Sequence, residues 1–178
     1  MELQERYDKA LTFEQFVDGA QKNQDLWRGV YRLAKVPQEY VERVKAILPG
    51  QWHLLVLAED WCGDAVNSVP LIVRLAEASG NVDVRLLARD KNLDIMDAHL
   101  TNGSRSIPVV MVLDEAFEER GSWGPRPRPL QEWMLSTGLQ MPSEPRYHEA
   151  RTWYARDRGL TTLEEVVGLL ESVVTVRT

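Results

Sequence analysis

The sequence predicts an α/β fold in which helices flank a four-stranded mixed sheet. The apolar run at residues 53–58 is too short for a helix and lacks alternation, which is typical of a strand covered on both faces. A helical pattern at residues 64–79 and the apolar segment Val82–Ala88 follow it, and a strand–helix–strand unit implies parallel pairing. Residues 108–113 and 116–122 flank a short turn, which predicts an antiparallel hairpin that completes the sheet.

Residues 1–50 are predicted to form an N-terminal helical segment. Thr12 and Gln15 have the spacing of a capping box, and they begin the first of three predicted helices. Pro37 separates the second helix from the third, which ends before Pro49. No early strand is evident, so the three helices are interpreted as scaffold that covers one side of the sheet.

Residues 126–178 are predicted to form a C-terminal helical extension, and the whole chain of 178 residues is interpreted as one domain. Helices are expected at residues 130–139 and 147–158. A last helix follows, and Thr162 and Glu165 have the spacing of a capping box at its start.

Two aromatic residues and several arginines of this extension are further candidates for a surface role. Trp153 and Tyr154 are expected to pack in the core rather than to bind a partner. The arginines are interpreted as solvated side chains that pair with nearby acidic residues (Arg126, Arg128, Arg146, Arg151, Arg156 and Arg158). Neither group is assigned to a binding site from the sequence.

Composition and charge narrow the classes of function. The formal net charge of −6 argues against nucleic acid as a partner. No apolar run approaches the roughly 18 residues needed to cross a bilayer, and the acidic N-terminus does not resemble a signal peptide. One cysteine cannot form an intramolecular disulfide, so a cytoplasmic location is expected. The three histidines lack metal-ligand spacing, and neither a metal nor a membrane partner is expected.

The single cysteine, Cys62, lies where the first predicted strand ends and the next helix begins. Unpaired backbone N–H groups and the helix dipole at such a junction favour the thiolate. The carboxylates of Glu59, Asp60 and Asp64 would oppose ionisation if they pointed toward the sulfur. On balance the sequence predicts a modestly lowered pKa for Cys62 and a nucleophilic role, rather than a buried thiol that acts as a small apolar side chain.

Three motifs in register resemble the thioredoxin superfamily. Trp61-Cys62-Gly63 matches the start of the family's Trp-Cys-Gly-Pro-Cys active site, and Pro70 matches the proline that kinks the following helix. The segment Arg105-Ser106-Ile107-Pro108 is similar to the loop whose proline is cis and faces the active cysteine. The resemblance covers about residues 51–125, the expected core, and the WCGDA signature is similar to that of a thioredoxin-like subfamily with helical extensions.

The motif departs from the family at two positions. Asp64 replaces the motif proline, and Ala65 replaces the second cysteine, which resolves mixed disulfides in a dithiol enzyme. Residues 55–57 are aliphatic where family members carry a buried Asp that is thought to assist the second thiol. The two losses are consistent with each other, because the missing base would serve the missing thiol.

The resemblance implies a thioredoxin-like fold and a monothiol thiol–disulfide oxidoreductase that acts through mixed disulfides at Cys62. The residues expected to bind substrate come from the motif and the proline loop (Trp61, Gly63, Ile107 and Pro108). Two further residues are expected to tune the charge near the sulfur, namely Asp64 and Arg105.

A second thiol has to come from outside the chain, and glutathione is one candidate for it. No bound cofactor is expected. The expected partner is a thiol or a disulfide, carried either by a protein or by a low-molecular-weight compound. Two alternatives stay open at this point. One is a non-catalytic binding module that keeps the groove and has lost redox turnover; the other, less favoured, is a cysteine-based peroxide sensor.

Overall fold

The computed structural model describes residues 3–47 and 50–175 and contains a four-stranded mixed sheet. Its strands are β1 (Trp52–Ala58), β2 (Val82–Ala88), β3 (Val109–Leu113) and β4 (Glu119–Trp123), in the order β2-β1-β3-β4. β1 pairs in parallel with β2 and antiparallel with β3, and β4 is antiparallel to β3. The predicted fold class and the mixed sheet are therefore confirmed.

The two central strands are buried on both faces, as their lack of alternation predicted. Every residue of β3 is buried, and so are the last five residues of β1. β4 begins at Glu119, later than predicted, because Asp114 holds a turn before it. The Asp114 carboxylate accepts hydrogen bonds from the backbone N–H groups of Ala116 and Glu118, at 2.8 and 3.1 Å.

The described residues before the sheet form four helices rather than the predicted three: α1 (Leu3–Lys9), α2 (Phe13–Asp18), α3 (Gln24–Leu33) and α4 (Gln38–Lys45). The prediction missed α1 because that helix buries only Tyr7 and so shows no apolar period. The capping box of Thr12 and Gln15 is confirmed. Within residues 3–47 the β pairing is limited to one antiparallel bridge from Leu11 to Leu86, with bonds of 2.9 and 2.8 Å.

The helix that carries the candidate site is α5 (Gly63–Ser79), which begins one residue earlier than predicted. Most of its residues are buried, Pro70 lies in its interior, and Gly80 ends it in a left-handed conformation. α3 and α4 pack against α5, and α2 packs against β2. The N-terminal segment therefore supports α5 directly. The predicted end of the third helix, at Pro49, lies outside the described residues.

The remaining helices are α6 (Leu93–Asp97), α7 (Arg128–Ser136), α8 (Ser143–Asp157) and α9 (Leu160–Thr175). α9 packs its apolar stripe against β4, α4 and α5. The predicted cap at Thr162 is wrong, because α9 begins before that residue and Asp157 accepts the Thr161 N–H at 3.0 Å. Glu165 instead accepts a hydrogen bond from the indole of Trp123 at 2.7 Å.

A small second core joins α7 to α8, and it is separate from the core around the sheet. Its buried members are Leu130, Met134, Ala150 and Tyr154. α8 begins at Ser143, earlier than predicted, because its Pro145 lies in the first turn, where proline is tolerated. This packing places α8 beside the N-terminus of α5, where Tyr154 reaches Asp64.

Candidate functional site

Cys62 lies at the N-terminus of α5, after the short turn that follows β1. Its backbone is extended (φ −79°, ψ 113°), and its Sγ accepts a hydrogen bond from the Ala65 N–H at 3.5 Å. The thiol donates a hydrogen bond to the Ile107 carbonyl, also at 3.5 Å. The predicted position at a helix N-terminus is confirmed, but the side chain is only 7% exposed.

The loop before β3 brings the carbonyl group of Ile107 next to Cys62. The Ile107–Pro108 peptide bond is cis, and the buried Ile107 presents its carbonyl oxygen to the thiol. Pro108 is also buried and does not line the cavity beside Cys62, so a direct contact from Pro108 to substrate is not supported. Gly124 packs closely on this loop: a Cβ at that position would lie 2.1 Å from the Pro108 carbonyl oxygen.

The surroundings of Cys62 favour the thiol over the thiolate. Burial raises the pKa of Cys62 to about 11, and this effect outweighs the Ala65 N–H hydrogen bond, which lowers it. The Asp64 carboxylate raises the pKa further, while the Arg126 guanidinium lowers it by a smaller amount. The predicted lowering is therefore wrong. The sequence pattern indicated the helix terminus correctly, but it did not indicate how deeply the sulfur is buried.

Asp64 forms a mostly buried ion pair beside Cys62, with 12% of its own side chain and 16% of the Arg126 side chain exposed. Its Oδ2 lies 2.7 Å from Arg126 Nη2, and its Oδ1 accepts a hydrogen bond from the Tyr154 hydroxyl at 3.0 Å. Burial raises the pKa of Asp64, and the Arg126 and Tyr154 contacts oppose that shift because they stabilise the carboxylate. The charge that acts on the thiol is therefore balanced by two residues of the C-terminal extension.

Arg105 was expected to be the cation that stabilises the thiolate, and the structure gives it a different partner. Its guanidinium forms a two-point ion pair with Asp97, with distances of 2.6 and 2.9 Å. Arg126, rather than Arg105, is the cation that lowers the pKa of Cys62. Arg105 still lines the cavity, so it forms part of the cavity wall but is not among the groups that shift the pKa of Cys62.

A cavity of about 520 Å³ opens beside Cys62. Its lining comes from the motif, from the proline loop and from the C-terminal extension. The residues that matter for its chemistry are Trp61, Cys62, Gly63, Asp64, Arg89, Arg105, Ile107, Arg126, Tyr147, Arg151 and Tyr154. Trp61 is 45% exposed, and the Arg89 guanidinium lies 5.3 Å from its ring centroid. The volume lies within the roughly 300–1,000 Å³ range of small-molecule sites.

A larger cavity, of about 1020 Å³, lies along the outer edge of β2 and shares no described lining residue with the first. Its lining includes His53, whose ring stacks on Phe117 with centroids 4.3 Å apart. Burial lowers the pKa of His53, which keeps the ring neutral. No nucleophile comparable to Cys62 is found among the described lining residues, so the smaller cavity is the candidate site.

Arg126 and Tyr154 are the site residues that sequence reasoning missed. Arg126 was interpreted as solvated and Tyr154 as core packing, and the packing of Tyr154 is correct. Their contacts to Asp64 span many intervening residues, so no local pattern could reveal them. One signal was available: an acidic residue in place of the motif proline, at the start of a buried helix, needs a compensating partner.

Neither a metal site nor a membrane span is found in residues 3–47 and 50–175. No group of three or more His, Cys, Asp or Glu is placed to hold a metal ion. No helix in these ranges has both the length and the apolar character to cross a bilayer.

A helix N-terminus that presents a cysteine to a proline loop, beside a mixed four-stranded sheet, defines a thioredoxin-like protein. The family model described as Thioredoxin matches residues 10–151, so the chain belongs to the thioredoxin family. This match extends further than the resemblance in the motifs, which covers about residues 51–125. It includes most of the N-terminal helices and part of α8.

Two solved structures share the fold. One is a protein of unknown function from Pseudomonas aeruginosa, with a TM-score of 0.76 and 21% identity over 97% of this chain and 98% of that one. The other is an HIV epitope scaffold, with a TM-score of 0.76 and 20% identity over 97% of this chain and 99% of that one. No curated protein matches the sequence. At this level of identity the two structures support the fold alone.

Proposed function

We propose that this protein is a monothiol thiol–disulfide oxidoreductase that forms mixed disulfides at Cys62. The observation that carries the proposal is the position of the sulfur. It lies at the N-terminus of α5, against the Ile107 carbonyl, and it lines an open cavity of about 520 Å³. A disulfide that enters this cavity would meet a sulfur that lines the same cavity as Trp61 and Ile107.

The exchange needs no cofactor. The Cys62 thiolate attacks one sulfur of a disulfide R–S–S–R, a bond forms between Cys62 Sγ and that sulfur, and the other half leaves as the thiolate RS⁻. A second thiolate, R′S⁻, then attacks the R sulfur of the mixed disulfide, which forms the disulfide R–S–S–R′ and releases Cys62 as its thiolate. Because the chain holds one cysteine, the second thiol comes from solution or from another protein. We propose a reducing compartment such as the cytoplasm as the setting.

The surrounding residues act on this exchange in two ways. The Ala65 N–H group stabilises the thiolate directly, since it donates to Sγ. Arg126 lowers the pKa of Cys62 through its own charge, and Arg126 and Tyr154 together balance the Asp64 charge that would otherwise disfavour a second anion nearby. Gly63 contributes open space: beyond its chain neighbours and the backbone of its own helix, no described heavy atom would lie within 4 Å of a Cβ there.

A raised thiol pKa sets the expected pH dependence. With a pKa of about 11, roughly one Cys62 in ten thousand is ionised at pH 7. Only the thiolate reacts, so the alkylation rate should rise about tenfold per pH unit through the neutral range. Iodoacetamide alkylation, followed by intact mass from about pH 6 to pH 10, measures this directly. A rate that levels off below about pH 8 would show a lowered pKa instead.

A non-catalytic binding module is the second candidate. The same raised pKa favours it, because a buried thiol reacts slowly, and so does the absence of a second cysteine from the chain. Under this alternative Cys62 packs against Ile107, and the cavity binds its ligand without covalent chemistry.

Adduct formation separates the two candidates. The protein is incubated with glutathione disulfide near pH 8 and its intact mass is followed, with Cys62→Ser as the control. A mixed disulfide at Cys62 that free glutathione then releases supports the oxidoreductase. Alkylation first establishes that the thiol is accessible. If no glutathione adduct then forms, the binding module is the better description.

A further inference from the structure

The cavity beside Cys62 carries a charge opposite to that of the whole chain. The protein has a formal net charge of −6, yet the charged residues that line the cavity are four arginines and one aspartate: Arg89, Arg105, Arg126, Arg151 and Asp64. A cleft lined by one sign of charge concentrates the field and attracts ligands of the other sign. The chain therefore places its arginines where a substrate of the sulfur would bind.

Three of these arginines remain available to a ligand. Arg126 is committed to Asp64, but Arg89 and Arg105 pair with Asp90 and Asp97, which are about half exposed and do not line the cavity. The Arg105–Asp97 pair is exposed, and exposed pairs contribute only about 0–1 kcal/mol, so a ligand carboxylate can compete for the Arg105 guanidinium. The Arg89 side chain is 18% exposed, and its guanidinium also donates a hydrogen bond to the Arg105 carbonyl at 2.9 Å, so Arg89 presents its charge to a ligand from a fixed position. Within the described ranges Arg151 lacks any ion pair to a carboxylate.

The walls of the cavity favour a small ligand over an extended polypeptide. Tyr147, Arg151 and Tyr154 of α8 form one wall, and Trp61 and Ile107 belong to the motif and the loop. A volume of about 520 Å³ suits a small molecule, whereas an extended peptide needs an open groove along the loop. Aromatic faces and guanidinium groups together suit a compound with an apolar disulfide centre and anionic ends.

We propose, on the basis of the exchange function proposed above, that the substrate is a low-molecular-weight disulfide with anionic end groups, held by Arg89, Arg105 and Arg151 while Cys62 attacks its sulfur. One S–S bond of the substrate breaks and one forms to Cys62, and the released half leaves as an anionic thiolate. A second low-molecular-weight thiol of the same class completes the cycle.

Three disulfides of nearly equal size and different charge test the proposal. They are 3,3′-dithiodipropionate (two negative charges), 2-hydroxyethyl disulfide (neutral) and cystamine (two positive charges). Their second-order rates with Cys62 are measured by intact mass at one pH. Each rate is divided by the rate of the same disulfide with N-acetylcysteine amide, which removes differences in leaving-group chemistry. We expect the normalised rate of the dianion to exceed that of the dication by about tenfold or more.

Salt and two variants identify the source of the preference. The dianion's advantage should shrink as ionic strength rises, because salt screens the field of the arginines. Arg151→Gln and Arg89→Gln should each reduce it several-fold, whereas Arg156→Gln, an exposed α8 residue that does not line the cavity, should leave it unchanged. Arg156→Gln should also leave alkylation by the neutral reagent iodoacetamide unchanged. For every variant, dividing the disulfide rate by its own iodoacetamide rate removes any change in the reactivity of the thiol.

The outcomes keep this inference distinct from the function on which it rests. Equal normalised rates for the three disulfides, or a preference for cystamine, would overturn the anionic substrate and leave the exchange function standing. Faster reaction with a disulfide held in an extended peptide would overturn the small-molecule assignment. No adduct with any of the three probes would remove the exchange function itself.

Discussion

The cavity beside Cys62 has two walls that come from different parts of the chain. The motif wall, defined by Trp61, Cys62 and Ile107, supplies the sulfur and the loop that faces it. The extension wall, defined by Arg126, Tyr147, Arg151 and Tyr154, supplies charge and hydrogen bonds. The motif wall therefore supplies the reactive group, and the extension wall supplies the charges that surround it.

The largest effect on stability is expected from removing the ion pair between Arg126 of the extension wall and Asp64. Arg126→Gln leaves the Asp64 carboxylate buried without a cation, which should lower the free energy of unfolding by about 3 kcal/mol. Urea denaturation at pH 7 measures the change. The matched control is the double variant Arg126→Gln with Asp64→Asn, which removes both charges and should recover most of the loss. A double variant as unstable as the single one would contradict the charge explanation.

Lower pH should reduce the loss in Arg126→Gln. Burial raises the pKa of Asp64 in the folded state, so the ionised carboxylate disfavours folding, and this penalty disappears as Asp64 is protonated. Without Arg126 the pKa of Asp64 rises further. The difference in unfolding free energy between wild type and variant should therefore shrink as the pH falls from 7 to about 4. A difference that stays constant with pH would mean that Arg126 acts through packing.

The next largest effect on stability is expected at Gly124, which packs against the loop that faces Cys62. Gly124 has φ +129°, and a Cβ there would lie 2.1 Å from the Pro108 carbonyl oxygen. Gly124→Ala should lower the free energy of unfolding by about 2 kcal/mol or more, through backbone strain and overlap, and should disturb the loop that faces Cys62.

Gly168→Ala is the control for that substitution. It lies in α9, where no described heavy atom would meet the new Cβ, so it should stabilise the protein by about 0.5–1 kcal/mol. Thermal or urea unfolding of the two variants side by side measures whether each substitution lowers or raises the free energy of unfolding. Equal effects at the two positions would refute the close contact at Gly124.

The smallest loss of stability is expected from Tyr154→Phe, which is compared with a second tyrosine of the extension wall. Tyr154→Phe removes the hydroxyl that donates to Asp64 at 3.0 Å, and it should lower the free energy of unfolding by about 1.5 kcal/mol while raising the pKa of Asp64. Tyr147→Phe is the matched control, because Tyr147 lies on the same helix, is exposed, and makes no described hydroxyl hydrogen bond. Comparable losses in both variants would show that the Asp64 hydrogen bond is not the cause.

The motif wall was predictable because its signals are local. Apolar runs and turn residues identified β1, β2 and α5 to within a residue, and they placed Cys62 at a helix N-terminus. The prediction failed where a tertiary contact overrides a local pattern. Asp114 delays β4 with side-chain hydrogen bonds to the backbone, and α9 starts before Thr162, which had been assigned as its cap.

By itself the sequence established an α/β chain with one cysteine at the end of a strand, since periodicity and residue order are local properties. Tertiary structure alone decided the protonation state of that cysteine, because burial depends on every segment that covers the sulfur. It also replaced Arg105 with Arg126 as the cation that lowers the pKa of the thiol, through a contact between residues 64 and 126 that no local pattern could reveal.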